Sequence, residues 1–402
     1  MRYLLIQSQL MHLRKIILVL LPGIVILSGC KKDKAGGTPG INMDDCTQSA
    51  GASNGDIIEG RYIVVYKSSE VSARGMNSTE LGRVSKDVLA RHSISPRTTP
   101  RNFGGEPGGF IADISATDAE ALKNDQAVAI VEPDRIISLG TCFTVVEPRL
   151  VTWNITRTGY GDGTGKTAWV IDTGIDFDHP DLTVDVARSK SFMTNITSAR
   201  DENGHGTHVA GIIGAKNNRI GVLGVASGAT LVSLRVLDKD GSGTVSSIVQ
   251  ALAYVNTNAA AGDVVNMSVG DDEGISAALD QQVQNIAARG IYFAIAAGNE
   301  HESANKSSPG RANGANIFTV SAIDSLDNFA SFSNFGNDVV DYAEPGVRIL
   351  STYMGSRYAY MSGTSMAAPH MAGLLLLKGR NIVSSGTAKN DPDGTADPIG
   401  HF

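Results

Sequence analysis

Ser362-Gly363-Thr364-Ser365-Met366-Ala367-Ala368-Pro369-His370 sets one hydroxyl, that of Ser365, among small residues just ahead of the apolar run Met371–Leu377. Gly363 and Thr364 suit a tight turn, because glycine adopts backbone angles that other residues avoid. Met366 to Leu377 then reads as a buried helix with Ser365 at its N-terminus. Free N–H groups and the helix dipole favour negative charge at that end, as an acyl-transfer intermediate requires. A lone Gly-Thr-Ser is more often an ordinary helix cap. Its company upstream decides the reading.

From Trp153 onward, apolar strands alternate with helices. Ala168–Ile171, Leu231–Val236, Val264–Val269, Ile291–Ala296 and Ile317–Ala322 read as strands buried on both faces. Helical patterns starting at His205, Val245, Ile275 and Thr364 interleave with them. This order predicts a parallel sheet with helices on both faces, and functional groups at the carboxyl ends of its strands. Asp172 stands at such an end, directly after Ala168–Ile171. Asp176, Asp178 and Asp181 follow in a polar loop and read as solvated or ion-binding. Asn203-Gly204-His205-Gly206-Thr207-His208 carries two histidines three apart. They do not read as a zinc site, because no acidic ligand lies in the next turn and the HExxH spacing is absent. His208 reads as a packed core histidine.

Asp172, His205 and Ser365 come in the chain order of the subtilisin triad. A serine hydroxyl is a poor nucleophile until an imidazole accepts its proton, a task His205 suits, with Asp172 to hold the tautomer. Asp172-Thr173-Gly174, His205-Gly206-Thr207-His208 and Gly363-Thr364-Ser365-Met366-Ala367 resemble the three signature motifs of the subtilase (peptidase S8) family. The likeness extends over most of Trp153 to Gly373, including Asn217-Asn218 and Ile220–Ala226. It implies a subtilisin-like α/β fold and peptide-bond hydrolysis through an acyl-enzyme, with polypeptide substrates and no cofactor in the chemistry. Asn299, after Ala296-Ala297-Gly298, resembles the family's oxyanion asparagine, with the Ser365 N–H as second donor. Gly241-Ser242-Gly243 and Ser268-Val269-Gly270 resemble its substrate walls, which pair with a peptide as neighbouring strands. Val269, Ala296 and Ala297 imply an apolar first pocket and a preference for large apolar residues before the scissile bond. Lys216–Val222 with Asp181 matches a structural Ca²⁺ loop, its oxygens coming from Asp181, Asn218 and the carbonyls of Lys216, Ile220 and Val222.

Ahead of that domain, Arg61–Lys67, Gly109–Ile114 and Val128–Asp134 read as strands, and Leu81–His92 and Asp118–Asn124 as helices. They outline a small α+β, ferredoxin-like unit over 61–140, similar to subtilase inhibitor propeptides in its closing Val131-Glu132-Pro133-Asp134-Arg135-Ile136. Arg14, Lys15 and the apolar stretch Ile16–Leu27 form an export signal ending in Leu27-Ser28-Gly29-Cys30, which resembles a bacterial lipobox. The expected order is signal peptide 1–29, lipidation at Cys30, flexible tether 30–60, propeptide 61–140 and catalytic domain 150–402. That order implies a membrane-anchored or cell-surface lipoprotein, held by its own propeptide as an intramolecular inhibitor. Cys46 and Cys142 remain as an even pair that could tie the catalytic domain to the anchor.

The net charge of −7 and the lack of a long basic run argue against nucleic acid as a partner. The cysteines lie too far apart in sequence for a zinc motif. Gly161–Thr167 resembles a P-loop, but the glycine spacing fails and the loop precedes a strand. An esterase on a hydrolase fold would show Gly-x-Ser-x-Gly, which Gly363–Ala367 does not. The remaining alternative is a catalytically impaired subtilase-fold module for surface binding or adhesion. The stretch Lys378–Phe402, lacking a covering helix, speaks for it; the complete set Asp172, His205, Ser365 and Asn299 speaks against it.

Overall fold

The computed structural model describes residues 55–73, 75–138, 142–145, 151–270 and 274–402. The expectations for the signal segment, Cys30 and Cys46 lie outside the described residues, and of Cys142 only its strand is described. Among the described residues no helix is long and apolar enough to cross a membrane.

The first unit runs β1 (Ile57–Tyr66), α1 (Ser78–Arg91), β2 (Arg101–Phe103), β3 (Gly109–Asp113), α2 (Ala116–Leu122) and β4 (Val128–Ser138). Its antiparallel strands lie in the order β4-β1-β3-β2. Both helices start at a capping box, Asn77 with Glu80 and Ser115 with Asp118, which satisfies N–H groups that a helix leaves open. Leu81, Val88, Leu89 and Leu122 pack on Val64, Tyr66 and Phe110 of the sheet. A flexible tether was expected up to residue 60, but β1 begins at Ile57. Gly55 N donates to Ile136 O and Ile136 N to Asp56 O, each at 2.9 Å, so the long β4 carries the pairing past that point.

The second part continues with β5 (Cys142–Val145), α3 (Trp153–Thr158), β6 (Gly161–Asp162), β7 (Thr167–Asp172), β8 (Lys190–Ser191) and α4 (His205–Gly214). Then come β9 (Ala226–Ser227), β10 (Thr230–Arg235), β11 (Ser242–Thr244), α5 (Val245–Asn258), β12 (Val264–Met267) and α6 (Ala277–Ala287). It closes with β13 (Tyr292–Ala296), β14 (Ile317–Ile323), β15 (Val340–Pro345), β16 (Ile349–Tyr353), β17 (Arg357–Ser362), α7 (Thr364–Lys378), β18 (Val383–Thr387) and β19 (Pro398–His401). The main sheet has the order β18-β19-β15-β14-β13-β12-β7-β10-β8 and is parallel except at β18.

The central strand β7 shows why helices must cover both faces. Ala168 and Val170 point into one core with Val209 and Ile212 of α4 and Met371 and Leu374 of α7. Trp169 and Ile171 point into the opposite core with Leu252 and Val255 of α5 and Leu279 and Val283 of α6. Each large side chain buried this way contributes about 1.5–3 kcal/mol before entropy is counted. After α7 the chain adds strands instead of a helix. Ile399 of β19 is buried with Phe329, Ala343 and Ala388, so this edge of the sheet has its own apolar cover.

Candidate active site

Asp172 is the last residue of β7 and His205 the first of α4, and their side chains meet: Nδ1 lies 2.7 Å from Oδ1. Oδ1 also accepts from Thr173 N at 2.7 Å. A carboxylate accepts, so Nδ1 carries the hydrogen and Nε2 the lone pair. Both side chains are buried, and no described group is bonded to His205 Nε2. Two glycines make the approach possible. A Cβ at Gly206 would sit 2.1 Å from Gly174 O, and one at Gly204 would sit 2.0 Å from the Tyr353 ring.

Ser365 is the second residue of α7 and only 5% exposed. Its hydroxyl donates to Ser268 O at 3.3 Å and makes no hydrogen bond to His205. Pro369 explains the neighbouring contact. Proline has no N–H, so it cannot donate to the carbonyl four residues back, which is that of Ser365. Ser268 Oγ donates to that carbonyl instead, at 2.8 Å. A proline four residues after the serine was the sequence signal for this latch, and motif reading passed over it.

Asn299 follows β13, and its Oδ1 accepts from Thr364 N at 2.8 Å and Thr364 Oγ1 at 3.1 Å. With the oxygen so engaged, the Nδ2 hydrogens are the free donors of that amide. Gly298 N donates to Thr364 Oγ1 at 3.2 Å, so the loop after β13 is tied to the start of α7. His208 is buried, with Nε2 2.9 Å from Ile349 O and 3.0 Å from Ala359 O. Burial lowers its pKa to about 3, so the ring stays neutral, as a packed histidine should.

Of the expected walls, Ser242-Gly243 lies in β11 beside Gly241, and β11 is already paired. Ser138, Ile137 and Ile136 of β4 run antiparallel to Ser242, Gly243 and Thr244. A Cβ on Gly243 would meet Val236 O at 2.2 Å, so only glycine lets the backbone pass there. Ile137 is 1% exposed and packs in the core that holds Leu237 and Val245. Ser268 and Val269 are buried beside Gly270, with Ser268 latched to Ser365 as above. Two carboxylates of β4 also reach helix N-termini. Asp134 accepts from Ser246 N at 2.9 Å and Ser246 Oγ at 2.6 Å at the start of α5. Glu132 accepts from Ala278 N at 3.3 Å and from Ser276 Oγ at the start of α6. Sequence reading missed both roles, because a carboxylate in a strand does not announce which helix it will face.

The loop 216–222 wraps Asp181. Lys216 N donates to Asp181 O at 2.8 Å and Val222 N to its Oδ2 at 3.0 Å, while Asp181 Oδ1 is buried without a partner among the described residues. Burial pushes this carboxyl up to about 6. Asn218 Nδ2 donates to Pro180 O at 3.4 Å, and its Oδ1 accepts from Ile220 N at 3.1 Å.

A parallel α/β sheet with an Asp–His pair at one strand end and a serine at a helix start is a layout that serine proteases use. The chain belongs to the subtilase family, whose pattern matches residues 163–382. It is 36% identical over 337 residues to the alkaline serine exoprotease A of Vibrio alginolyticus, spanning 80% of this chain and 60% of that one. It is 35% identical over 324 residues to the thermostable alkaline protease of Halalkalibacterium halodurans, covering 79% and 80% of the two chains. The crystal structure of a cold adapted subtilisin-like serine proteinase superposes with a TM-score of 0.54 at 35% identity, covering 62% of this chain and 98% of that one.

Proposed function

We propose that Asp172, His205 and Ser365 are the catalytic triad of this serine endopeptidase and that Asn299 and the Ser365 N–H bind the oxyanion. The observation that carries this is the buried 2.7 Å contact between His205 Nδ1 and Asp172 Oδ1, which leaves Nε2 as a base without a partner among the described residues. Turning the Ser365 hydroxyl from Ser268 O to Nε2 starts the reaction. Oγ attacks the peptide carbonyl as Nε2 takes its proton, and Asp172 stabilises the imidazolium. The oxyanion is met by donors already in place, so little reorganisation is needed. His205 then returns the proton to the leaving amine, and water repeats the sequence on the acyl-enzyme. A fluorophosphonate probe should label the protein, and Ser365→Ala should remove the label. Labelling that survives the substitution would place the nucleophile elsewhere.

Residues 61–140 act, in this reading, as an inhibitor propeptide. Its support is the antiparallel pairing of β4 with β11, which occupies the edge where Gly241, Ser242 and Gly243 would pair with a substrate. Ser268, Val269 and Gly270 form the opposite wall. The protein is exported, lipidated at Cys30 and anchored to a membrane or the cell surface, with a Cys46–Cys142 bond as the proposed tie after processing. Loop 216–222 holds a structural Ca²⁺ through Asp181, Asn218 and the carbonyls of Lys216, Ile220 and Val222. The buried Asp181 Oδ1, without a partner among the described residues, fits a cation there. When bound, the ion supplies cross-linking of the loop and no step of the hydrolysis.

A further inference from the structure

We infer that Asp201 is a positioning residue for the reaction, holding His205 in place against Asp172; this rests on the triad reading above. Asp201 lies outside the three motifs and touches neither member of the pair through a side chain. Its Oδ1 accepts from Thr173 Oγ1, Asn203 N and Gly204 N, each at 2.9 Å. Its Oδ2 accepts from Thr207 N at 3.0 Å and Thr207 Oγ1 at 2.6 Å. One carboxylate therefore grips the residue after Asp172 and, two residues beyond His205, the third residue of α4.

The N-terminus of α4 shows why this grip is needed. A helix leaves its first N–H groups open, and Gly204, at the cap position, has no side chain to receive them. His205 N goes to Asn203 Oδ1 at 3.1 Å, Gly206 N to Thr173 Oγ1 at 2.9 Å and Thr207 N to Asp201 Oδ2. Asp201 holds two of these three acceptors in position as well, through its bonds to Asn203 N and the Thr173 hydroxyl. A carboxylate at this end is also favoured by the helix dipole.

The turn that carries Asp201 is itself fixed to the catalytic strands. Arg235, fully buried on β10, sits in register beside Asp172 of β7. Its Nη1 donates to Arg200 O and its Nη2 to Glu202 Oε2, each at 2.8 Å. Asp201 N donates to Ile175 O at 3.1 Å. The strand pair bearing Asp172 thus sets the place of Asp201, and Asp201 sets the place of the helix bearing His205.

Asp201→Asn keeps the size and exchanges one oxygen for an NH₂ group. In either orientation that group faces at least one backbone N–H, which cannot turn away as a hydroxyl can. The start of α4 must shift, and a displacement of about 1 Å costs roughly 10²-fold in rate. The test measures kcat and KM of the processed enzyme on a chromogenic peptide, with kcat divided by the serine titrated at the fluorophosphonate end point, alongside the melting temperature. The expected result for Asp201→Asn is a kcat per titrated serine roughly 10²-fold lower with KM unchanged. Thr173→Val, which keeps its shape and removes the hydroxyl that joins Asp201 Oδ1 to Gly206 N while leaving the Asp201–Thr207 bonds, should show a smaller loss of the same kind. It decides the matter if Asp201→Asn does not fold. A lower melting temperature or fewer titratable serines with kcat per serine intact would reduce Asp201 to a structural residue and overturn the inference. His205→Ala separates the two levels. If it stays active, the triad reading fails; if it is inactive while Asp201→Asn and Thr173→Val keep full kcat, only the positioning role fails.

Discussion

Replacing Asp134 by alanine should loosen the proposed propeptide from the catalytic domain. Asp134 is fully buried and receives the N–H and hydroxyl of Ser246 at the start of α5. Hydrogen bonds to a charged group contribute about 1.5–3 kcal/mol each. Burial opposes this, since it raises the Asp134 carboxyl above its ordinary range despite those two donors. The net loss should then fall at or below the lower end of the summed range of about 3–6 kcal/mol, at about 2–3 kcal/mol, which is roughly a 30- to 150-fold weaker complex. Most of that cost falls on the bound state, where Ser246 N would lose its partner inside a closed interface; in the separated domain, water takes its place. The assay is inhibition of the processed protease by residues 42–140 added in trans. Asp134→Asn, keeping one acceptor, should fall between wild type and alanine. Glu132→Ala should weaken binding less, because the Ala278 N contact is long at 3.3 Å. An alanine variant at 134 that inhibits as tightly as wild type would refute the reasoning.

Asn299→Ala should lower kcat by roughly 10²–10³ with little change in KM, a magnitude taken from the oxyanion donor of subtilisin rather than worked from this geometry. A change confined to KM would mean that Asn299 only seats the substrate. A chelator should lower the melting temperature of the wild type, and Asp181→Ala should remove most of that response. A melting curve unmoved by chelator would dismiss calcium. Glu344 is fully buried, with Oε2 taking Thr158 Oγ1 at 3.0 Å and Oε1 without a partner among the described residues, and burial holds its pKa well above 4.5. A raised carboxyl favours the native state fully below its unfolded pKa and loses that advantage as pH rises through the folded one. Glu344→Gln should therefore gain stability on the wild type by up to ~1.4 kcal/mol per pH unit between the unfolded and the folded pKa, and no further above the folded one. Parallel stability–pH curves for the two proteins would show that Glu344 titrates alike in the folded and unfolded states, which would refute the raised carboxyl.

Much of this fold is local in origin and could be read from the chain. The run Ala168–Ile171 is apolar at every position, which suits only a strand covered on both faces, and β7 divides its side chains between two cores accordingly. Asp172, His205 and Ser365 each sit at the end of an element whose start or stop is written in neighbouring residues. For Asp172 and His205, that placement together with the resemblance of their motifs to the subtilase family led to the expected contact. It was not enough for Ser365, whose hydroxyl direction depends on Ser268, 97 residues away.

Tertiary structure alone decided the features that depend on which surfaces meet. Periodicity marks Val128–Asp134 as a strand, but it cannot say that its tail lies along β11 or that Asp134 faces α5. The Asp134–Ser246 contact joins groups 112 residues apart. The same holds for Asp201, unremarkable in a polar loop until the fold brings Thr173 and Thr207 to its two oxygens. It holds also for β18 and β19, where the sequence showed only the lack of a helix. Hydrophobic period and capping residues act over one or two turns, so sequence records them directly. A hydrogen bond between distant segments is fixed only once the packed cores have set their distance and angle.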